Sequence, residues 1–380
     1  MTLIYIVAGE ESGDVLGARL MAALAAQHPG VRFAGLGGGR MTALGLAPLF
    51  PMRELAVMGL LEVLPKIVRL RARLHEMAAD IRARRPDVVV TIDSPGFTLR
   101  LLGLLRGSGL KRVHYVAPQV WAWREGRVKT FPGLWDRLLC LLPFEPGFFA
   151  RHGVEGLFVG HPVLESGADR GDGARFRARH GVADGARLLV VMPGSRGSEV
   201  TRLLPVLAAT LQRLRPAFPD LVPVVPVAAA VAETVIAATA GWAVKPIVVT
   251  EVSDKHDAFA AAAAALTKSG TSTLELALAG VPMVVTYRVN PLTAMIARRL
   301  IRTPFAAIVN ILAGRAVVPE LIQQDCNPAR LADEIGALLG DPAAVAAQRV
   351  EFARIMGALQ PDLGMPSAAA AQAVLALLRA

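Results

Sequence analysis

The chain has 380 residues, of which 53% are hydrophobic and 19% charged, so it supplies ample apolar surface for a folded core and is not a disordered polypeptide. At roughly 150 residues per domain, the length predicts two or three domains. The net charge of +10 favours anionic partners, but aromatic residues make up only 5%, too few for a surface that stacks single-stranded nucleic acid. We therefore expect no nucleic-acid partner.

Cysteine content and hydropathy favour a cytoplasmic protein. Cys140 and Cys326 are the two cysteines, which excludes a disulfide framework and a zinc site of four thiolates and suits a reducing compartment. The best apolar run, residues 221–232, contains Pro223 and Pro226 and is shorter than the roughly 20 residues that span a membrane. No basic region precedes Glu10, so the N-terminus reads as a first strand rather than a signal peptide.

Short apolar runs alternate with helical patterns twice along the chain. Strands are predicted at 3–8, 31–34, 87–92, 113–117 and 137–142 and, after a break, at 188–192, 221–227, 247–250, 264–267 and 283–286. Helices are predicted at 15–26 and 200–215, and the alanine run 260–265 is expected to be a small-residue helix. The glycine- and charge-rich segment 165–184 is the expected boundary. This pattern predicts two doubly wound α/β domains with parallel sheets.

A basic amphipathic stretch covers residues 59–85. Apolar residues recur at helical spacing in the second part, at Ile67, Leu70, Leu74, Met77 and Ile81, and they follow the apolar residues Leu60, Leu61, Val63 and Leu64. Residues 66–85 hold seven basic residues against Glu76 and Asp80. Such a helix can lie on an anionic bilayer, with Leu61, Val63, Leu64, Ile67 and Leu70 as candidate acyl contacts. The alternative is an ordinary domain helix with a charged outer face.

The turn after the first predicted strand is acidic. Glu10, Ser12, Gly13 and Asp14 belong to the sequence GEESGD, and its three carboxylates would repel a pyrophosphate. Carboxylates accept hydrogen bonds from hydroxyl groups, so this turn suits a sugar-like ligand. The alternative is that Ser12 and Asp14 cap the helix.

Asp93 directly follows the third predicted strand, in IDSPGF. The carboxyl end of a parallel strand is where open α/β sheets bind ligands, so Asp93 is a candidate general base, exposed by a tight turn at Pro95 and Gly96. The alternative role is that of an Asx-turn residue. Further on, Trp121 and Trp123 stand close to arginines and either line a ligand cleft or fill a core.

Two loops of the second half have the composition of an anion site. Gly194, Ser195 and Arg196 precede a helix, where backbone amides and a guanidinium suit a diphosphate. Ser269, Gly270 and Thr271 open another helix, and Glu275 lies in its first turn, where it can accept both ribose hydroxyls or simply favour the helix dipole. Together these loops predict a nucleoside diphosphate held by the second domain.

No cofactor and no metal are expected, because the seven histidines show none of the spacings typical of a metal site.

The whole set of motifs resembles the lipid-A-disaccharide synthase family of bacterial glycosyltransferases. The resemblance rests on AGEESGD (8–14), the glycine-rich region 37–45, ELAVMGLLEVL (54–64), IDSPGF (92–97), YVAPQVWAWREGRV (115–128), LPFEPGFF (142–149), FVGHPV (158–163), MPGSRGSEV (192–200), SGTSTLELAL (269–278) and the region 309–323. One departure is Gly96, where some members carry a second acidic residue, which puts more weight on Asp93.

The resemblance implies a GT-B fold, with two Rossmann-like α/β domains facing across a cleft. The implied domains are 1–165 for the acceptor, 166–362 for the UDP-sugar, and a C-terminal helix, 363–380, that packs back on the first. It also implies an enzyme that joins UDP-2,3-diacylglucosamine to 2,3-diacylglucosamine 1-phosphate (lipid X), without a metal, at the inner leaflet of the cytoplasmic membrane, and it allows a homodimer.

The resemblance further implies residue roles. Asp93 is the implied general base, Arg196, Glu275, Asn310 and Gln323 are implied donor-site residues, and Glu10, Ser12 and Asp14 are implied residues of the first-domain cleft. Four other functions stay open at this point: a peptidoglycan-precursor N-acetylglucosamine transferase, a UDP-sugar epimerase, a binding protein without catalysis, and, least in keeping with the acidic turn, an NAD-dependent dehydrogenase.

Overall fold

The computed structural model describes residues 1–55, 60–301 and 303–379, and of these the side chains of 60–67, 292 and 296–299 are left out. The chain divides into two compact units. Unit 1 comprises Met1–Pro162 and Leu359–Ala380, and unit 2 comprises Val163–Ala358. Unit 2 is therefore a continuous segment inserted into unit 1. The first boundary between the units, at residues 162–163, lies just before the glycine-rich segment 165–184.

Unit 1 contains a six-stranded parallel sheet. Its strands are β1 (Leu3–Ala8), β2 (Arg32–Leu36), β3 (Val88–Ile92), β4 (Lys111–Tyr115), β5 (Arg137–Cys140) and β6 (Gly156–Phe158). The spatial order is β2-β1-β3-β4-β5-β6, so β3 lies between β1 and β4. Ala8 is in register with Ile92, and Ile92 with Tyr115, so three strands end level at one edge of the sheet.

Helices cover both faces of this sheet. They are α1 (Glu11–Gln27), α2 (Gly39–Ala43), α3 (Leu60–Arg84), α4 (Pro95–Leu104), α5 (Val120–Trp123), α6 (Glu145–Ala150) and, from the end of the chain, α16 (Pro366–Arg379). Alternate residues of β1 point to opposite faces, so Ile4 and Ile6 pack with α1 and α16, whereas Tyr5 and Val7 pack with α3 and α4.

The C-terminal segment completes unit 1. Val374 of α16 is fully buried in the core that includes Leu20 and Leu24 of α1. Lys111 Nζ donates a hydrogen bond to the carbonyl of Leu377 at 2.6 Å, and the backbone N–H of His161 donates to the carbonyl of Leu359 at 3.0 Å. One face of the β1–β4 sheet is thus covered by residues from the far end of the chain.

The structure of helix α3 tests part of the prediction for the amphipathic stretch 59–85. Leu74, Met77 and Ile81 are buried in the core of unit 1, so this half of the stripe belongs to an ordinary domain helix. Leu70 is half-buried and Val68 is 77% exposed. The predicted acyl contacts Leu61, Val63, Leu64 and Ile67 fall outside the residues whose side chains are described.

Unit 2 repeats the architecture with a second six-stranded parallel sheet. Its strands are β7 (Arg187–Met192), β8 (Leu221–Pro226), β9 (Ile247–Val249), β10 (Ala262–Lys268), β11 (Met283–Tyr287) and β12 (Glu320–Ile322), in the order β12-β11-β10-β7-β8-β9. Its helices are α7 (Gly173–His180), α8 (Gly197–Leu214), α9 (Ala232–Ala240), α10 (Val252–Ala261), α11 (Ser272–Leu278), α12 (Pro291–Leu300), α13 (Ile308–Ala313), α14 (Pro328–Gly340) and α15 (Pro342–Ala358).

Two local expectations need correction, and two short strands were missed. The alanine run is not one helix, because α10 ends at Ala261 and residues 262–268 form the central strand β10. Pro95 does not hold an isolated turn but begins helix α4, a position where its missing N–H costs nothing. The short edge strands β6 and β12 were not predicted.

Within the described ranges, no helix combines the length and the apolar character that a membrane span requires.

Candidate functional site

Residues with strained backbone mark the carboxyl edges of both sheets. Four of the five non-glycine residues with positive φ in the described part of the chain lie within two residues of the end of β3, β4 or β12: Asp93, Ser94, Val116 and Gln323, with φ angles of 48°, 45°, 78° and 57°. The fifth, Arg85, follows α3. A positive φ is costly for such residues, above all for the β-branched Val116. Backbone strain of this kind is typical of functional sites, so we infer that these strand ends form the candidate site.

Asp93 is held in its turn by backbone contacts. Its N–H donates to the carbonyl of Tyr115 at 2.9 Å, and its carbonyl accepts a hydrogen bond from Thr98 Oγ1 at 2.6 Å. Burial raises the pKa of the Asp93 carboxyl above its usual range, and the negative charge of Glu10 raises it further, against a smaller lowering by the Ser94 N–H. A carboxylate with a raised pKa is a better proton acceptor, as a general base requires.

The turn at Asp93 is packed closely against the end of β1. A Cβ atom at Gly9 would lie 2.9 Å from Ser94 Oγ and 3.2 Å from Ser94 Cβ, so a larger residue there would require Ser94 to shift. Ser94 Oγ is itself buried and has no hydrogen-bond partner within the described part of the chain. This orphaned hydroxyl lies next to the candidate base, where a ligand can supply the missing partner.

The acidic turn divides into two kinds of residue. Glu10 and Ser12 are exposed, and no side chain caps α1. Asp14 is 4% exposed, and its carboxylate accepts hydrogen bonds from the backbone N–H groups of Gly38 at 2.7 Å, Arg40 at 3.0 Å and Met41 at 3.1 Å. Gly13 is buried, and a Cβ atom at this position would lie 3.3 Å from the Cβ atom of Ala8, a tight contact. Asp14 therefore positions the 38–41 loop, and Glu10, Glu11 and Ser12 are the members of the turn that stay open to a ligand.

The loop after β4 is held in place by the buried residue Glu145. Trp121 Nε1 donates to Glu145 Oε1 at 3.1 Å, and Glu145 Oε2 accepts from the N–H groups of Leu141 and Leu142, both at 3.0 Å. Glu145 is only 2% exposed, and burial raises its pKa to about 7 despite these three hydrogen bonds. Trp123 is 42% exposed, so it fills no core.

The PGSRG loop of unit 2 leads from β7 into α8. Gly194 has a φ of 115°, and a Cβ atom there would lie 2.8 Å from Glu199 Oε2. Arg196 is the N-cap residue, and no side chain caps the helix, so the first amides of α8 are left for an anion. Ser195 and Arg196 are exposed, and Arg196 Nη1 lies 3.6 Å from Glu199 Oε1. This geometry suits diphosphate binding.

A buried ion pair lies beneath this loop, and sequence reasoning missed it. Lys268, at the end of β10, places Nζ 3.1 Å from Glu199 Oε1, and the two side chains are 16% and 6% exposed. Lys268 Nζ also lies 5.3 Å from the ring centroid of Tyr287. The only sequence signal was their position, next to the two predicted anion loops.

The second predicted loop lies on the neighbouring strand. Ser269 Oγ donates to the carbonyl of Ala306 at 2.8 Å, which ties the loop to residues before α13. Gly270 has a φ of 159°, and Thr271 is exposed at the N-cap of α11. Glu275 is bound by Lys255, whose Nζ lies 2.9 Å and 3.1 Å from its two carboxylate oxygens. Lys255 was not singled out from sequence.

Asn310 and Gln323 lie in different environments. Asn310 is fully buried, and its amide group bonds to Val318, Val317 and Glu320, at distances of 2.7 to 3.0 Å. It therefore holds the chain ahead of β12 and presents no free polar atom to a ligand. Gln323 instead lines a cavity of about 650 Å³ together with Arg202 and Arg288.

Within residues 1–55, 60–301 and 303–379, no group of three or more His, Cys, Asp or Glu side chains is placed to hold a metal ion.

Comparison with solved structures supports the fold. A UDP-GlcNAc 2-epimerase from Neisseria meningitidis, solved with UDP-GlcNAc, matches with a TM-score of 0.67 at 11% identity over 100% of each chain. A spinosyn rhamnosyltransferase solved with thymidine diphosphate matches with a TM-score of 0.61 at 14% identity, over 98% of this chain and 100% of that one. With the two parallel six-stranded sheets, these neighbours establish a GT-B fold.

Sequence comparison is more specific. A family profile described as "Lipid-A-disaccharide synthetase" matches residues 4–374. A lipid-A-disaccharide synthase of Gluconobacter oxydans is 61% identical over 99% of this chain and 91% of its own, and one of Granulibacter bethesdensis is 58% identical over 99% and 98%. One of Pseudomonas aeruginosa is still 44% identical over 99% and 98%. The chain therefore belongs to the lipid-A-disaccharide synthase family of glycosyltransferases.

Proposed function

We propose that the chain transfers 2,3-diacylglucosamine from its UDP derivative to 2,3-diacylglucosamine 1-phosphate, forming a β-1,6-linked tetraacyl disaccharide 1-phosphate and UDP. The observation that carries this proposal is the family match over residues 4–374, with relatives named for this activity at up to 61% identity. The strained Asp93 turn and the uncapped α8 helix supply the chemistry that such a transfer needs.

In the proposed reaction, the acceptor 6-hydroxyl gives its proton to the Asp93 carboxylate as its oxygen attacks the anomeric carbon of the donor. Attack on the face opposite the α-linked UDP inverts the configuration. The bond between the anomeric carbon and the phosphate oxygen breaks, and its electron pair leaves with UDP. The first amides of α8 and the Arg196 guanidinium stabilise that developing negative charge.

The reaction is tested with the purified full-length protein and both acylated sugars, with products detected by mass spectrometry. We expect UDP and the disaccharide to appear together, with and without EDTA. Leaving out the acceptor tests the epimerase alternative, because an epimerase converts the donor alone. Full inhibition by EDTA that Mg²⁺ reverses would contradict the proposed role of Arg196 and the helix amides.

The raised pKa of Asp93 predicts the shape of the pH profile. Because the base acts in its ionised form, activity is lost as the pH falls through a pKa above the usual aspartate range. Glu10→Gln removes a repelling charge, which lowers the pKa of Asp93 and shifts the acid limb of kcat/KM to lower pH. An unchanged limb, measured on a full pH–rate profile, would show that Glu10 does not act on the base.

Glu275 is the proposed partner of the ribose hydroxyls. Glu275→Gln keeps the shape of the side chain but removes its charge, so we expect the affinities for UDP and UMP to fall equally, by about 10-fold. Calorimetric titration measures both constants, and Asp333→Asn, an exposed carboxylate on α14, is the control. A loss confined to UDP would instead place Glu275 at the diphosphate.

We propose that the start of α3 docks the enzyme on the inner leaflet of the cytoplasmic membrane. Its support is the position of Leu61, Val63 and Leu64 at the beginning of a helix whose later stripe is buried. A triple change of these residues to serine is expected to release the protein from anionic vesicles in a sedimentation assay, with its melting temperature unchanged. Leu74→Ser, in the core, is expected to lower the melting temperature instead.

The resemblance also allows a homodimer. Light scattering on the purified protein measures the mass of the assembly directly and decides between one copy and two.

A further inference from the structure

The segment 123–129, after β4, carries positive charge that the proposed mechanism does not use. Arg124, Arg127 and Lys129 are all exposed. The ion pairs described for unit 1 involve none of these three cations. The acidic residue within the segment, Glu125, has its Oε1 3.2 Å from Nε2 of His152. The segment therefore presents cations without carboxylate partners among the described residues.

Arg124 has a defined geometry within this segment. Its guanidinium carbon lies 4.1 Å from the centroid of the Trp123 ring, and that ring is 42% exposed. Stacking on an aromatic ring occupies a face of the guanidinium and leaves the N–H donors around its edge available. A guanidinium held in this way is suited to a planar or forked contact with phosphate oxygens.

The segment is also anchored by buried contacts. Helix α5, which ends at Trp123, is tethered by the hydrogen bond from Trp121 to the buried Glu145, and Trp121 packs edge-on against Phe144 with centroids 4.9 Å apart. Burying a carboxylate is unfavourable, and here it is compensated by three hydrogen bonds, of which the one from Trp121 ties the loop to Glu145. Such anchoring lowers the entropy lost when the loop binds a ligand.

Strand order places this patch on one side of Asp93. Glu10 lies in the turn that follows β1, and Arg124 lies in the loop that follows β4, directly after α5; β3, which carries Asp93 at its end, lies between those strands. Asp93 is joined to the β4 side by its hydrogen bond to Tyr115. A sugar whose hydroxyl lies at Asp93 therefore has the acidic turn at Glu10 on the β1 side, whereas the loop on the β4 side carries cations without carboxylate partners, so we expect an anionic substituent to be favoured on the β4 side.

We propose that Arg124, stacked on Trp123, binds the phosphate group of a sugar phosphomonoester acceptor, and that Glu145 positions this loop through Trp121. This inference rests on the proposed function, because it names the acceptor's phosphate as the ligand. Arg127 and Lys129 add to the local positive potential.

The test compares two acceptors, 2,3-diacylglucosamine 1-phosphate and the same sugar without its phosphate. Arg124→Met is expected to lower kcat/KM for the phosphorylated acceptor by about 10- to 100-fold and to leave the value for the other acceptor within about twofold. Arg32→Met, a change of an exposed arginine on the edge strand β2 of the same sheet, is the matched control and should keep the preference. Equal losses for both acceptors, or no loss, would overturn the assignment.

The positioning role of Glu145 has its own readout. Two variants test this role: Glu145→Gln, and Trp121→Phe, which keeps an aromatic ring but lacks the N–H donor. We expect each to raise the KM for the phosphorylated acceptor by about 10-fold while the KM for the donor stays unchanged. A purely structural role would instead lower the melting temperature and change both constants. If only the melting temperature changes, Glu145 has no positioning role.

The phosphate of a lipid headgroup could bind Arg124 in the same way as the phosphate of the acceptor. A vesicle-binding experiment distinguishes the two ligands. Sedimentation with phosphatidylglycerol vesicles should be the same for Arg124→Met and for the unchanged protein. Release of the variant from vesicles with unaltered acceptor preference would reject the proposal in favour of a membrane contact. Absence of transfer with either acceptor in the unchanged protein would contradict the proposed function itself, a result distinct from a failure of the Arg124 assignment.

Discussion

Asp93→Asn is expected to lower kcat by about 10²- to 10⁴-fold, the usual contribution of a general base, while UDP binding stays unchanged. Asparagine is the right replacement because it removes the negative charge but tolerates the left-handed backbone, so the φ of 48° at this position is kept. Asp93 lies in unit 1, whereas the loops proposed to bind UDP lie in unit 2. Single-turnover rates and calorimetric UDP titration measure the two effects separately.

The matched control for this change is Glu155→Gln, which removes a carboxylate from a surface pair in the same unit. We expect the control to keep full activity. If Asp93→Asn retains a rate within about 10-fold of the unchanged enzyme, Asp93 is not the base. Glu10, which lies close enough to raise the pKa of Asp93, then becomes the next candidate.

Arg196→Met is expected to slow transfer by about 10²- to 10³-fold, comparable to the loss of one donor from an oxyanion hole. The Arg196 side chain is 59% exposed, and its guanidinium lies 3.6 Å from Glu199, a loose contact that leaves donors for a diphosphate. Methionine keeps the apolar stem and removes the charge. Because the developing charge of the leaving group is greatest in the transition state, kcat should fall further than UDP affinity.

Arg213→Met is the control for this second change, since Arg213 is exposed in the last turn of the same helix. Its kinetics should match those of the unchanged enzyme. If Arg196→Met loses UDP affinity and kcat in the same proportion, Arg196 binds the ground state and does not contribute specifically to the transition state.

The pattern of apolar runs predicted the central strands of both sheets but missed the short edge strands β6 and β12. The central strands were identified because buried parallel strands are continuous apolar runs, as in VVVTI of β3. The three-residue strands β6 and β12 have too little sequence for such a signal. The alanine run was misassigned in part because alanine is a good helix former, and the position of β10 in the centre of the sheet overrides that preference.

Polar residues near the site were harder to assign than strands. Asp14 and Asn310 belong to motifs of the family, but their polar groups bond mainly to the backbone of neighbouring loops. A motif shows that a residue matters, yet spacing cannot say whether it contacts a ligand or supports a loop. The Lys268–Glu199 and Lys255–Glu275 pairs were missed for the related reason that their members are far apart in sequence.

The insertion of unit 2 into unit 1 has a consequence for synthesis on the ribosome. Unit 2 is continuous, so all of it is synthesised before residues 359–380, the last segment of unit 1. Unit 1 lacks α16, whose buried Val374 packs with α1, until the very end. Unit 1 is thus begun first and completed last, which departs from the usual N-to-C order in which the domains of a nascent chain fold. A C-terminal truncation or fusion therefore acts on the half of the enzyme that carries Asp93.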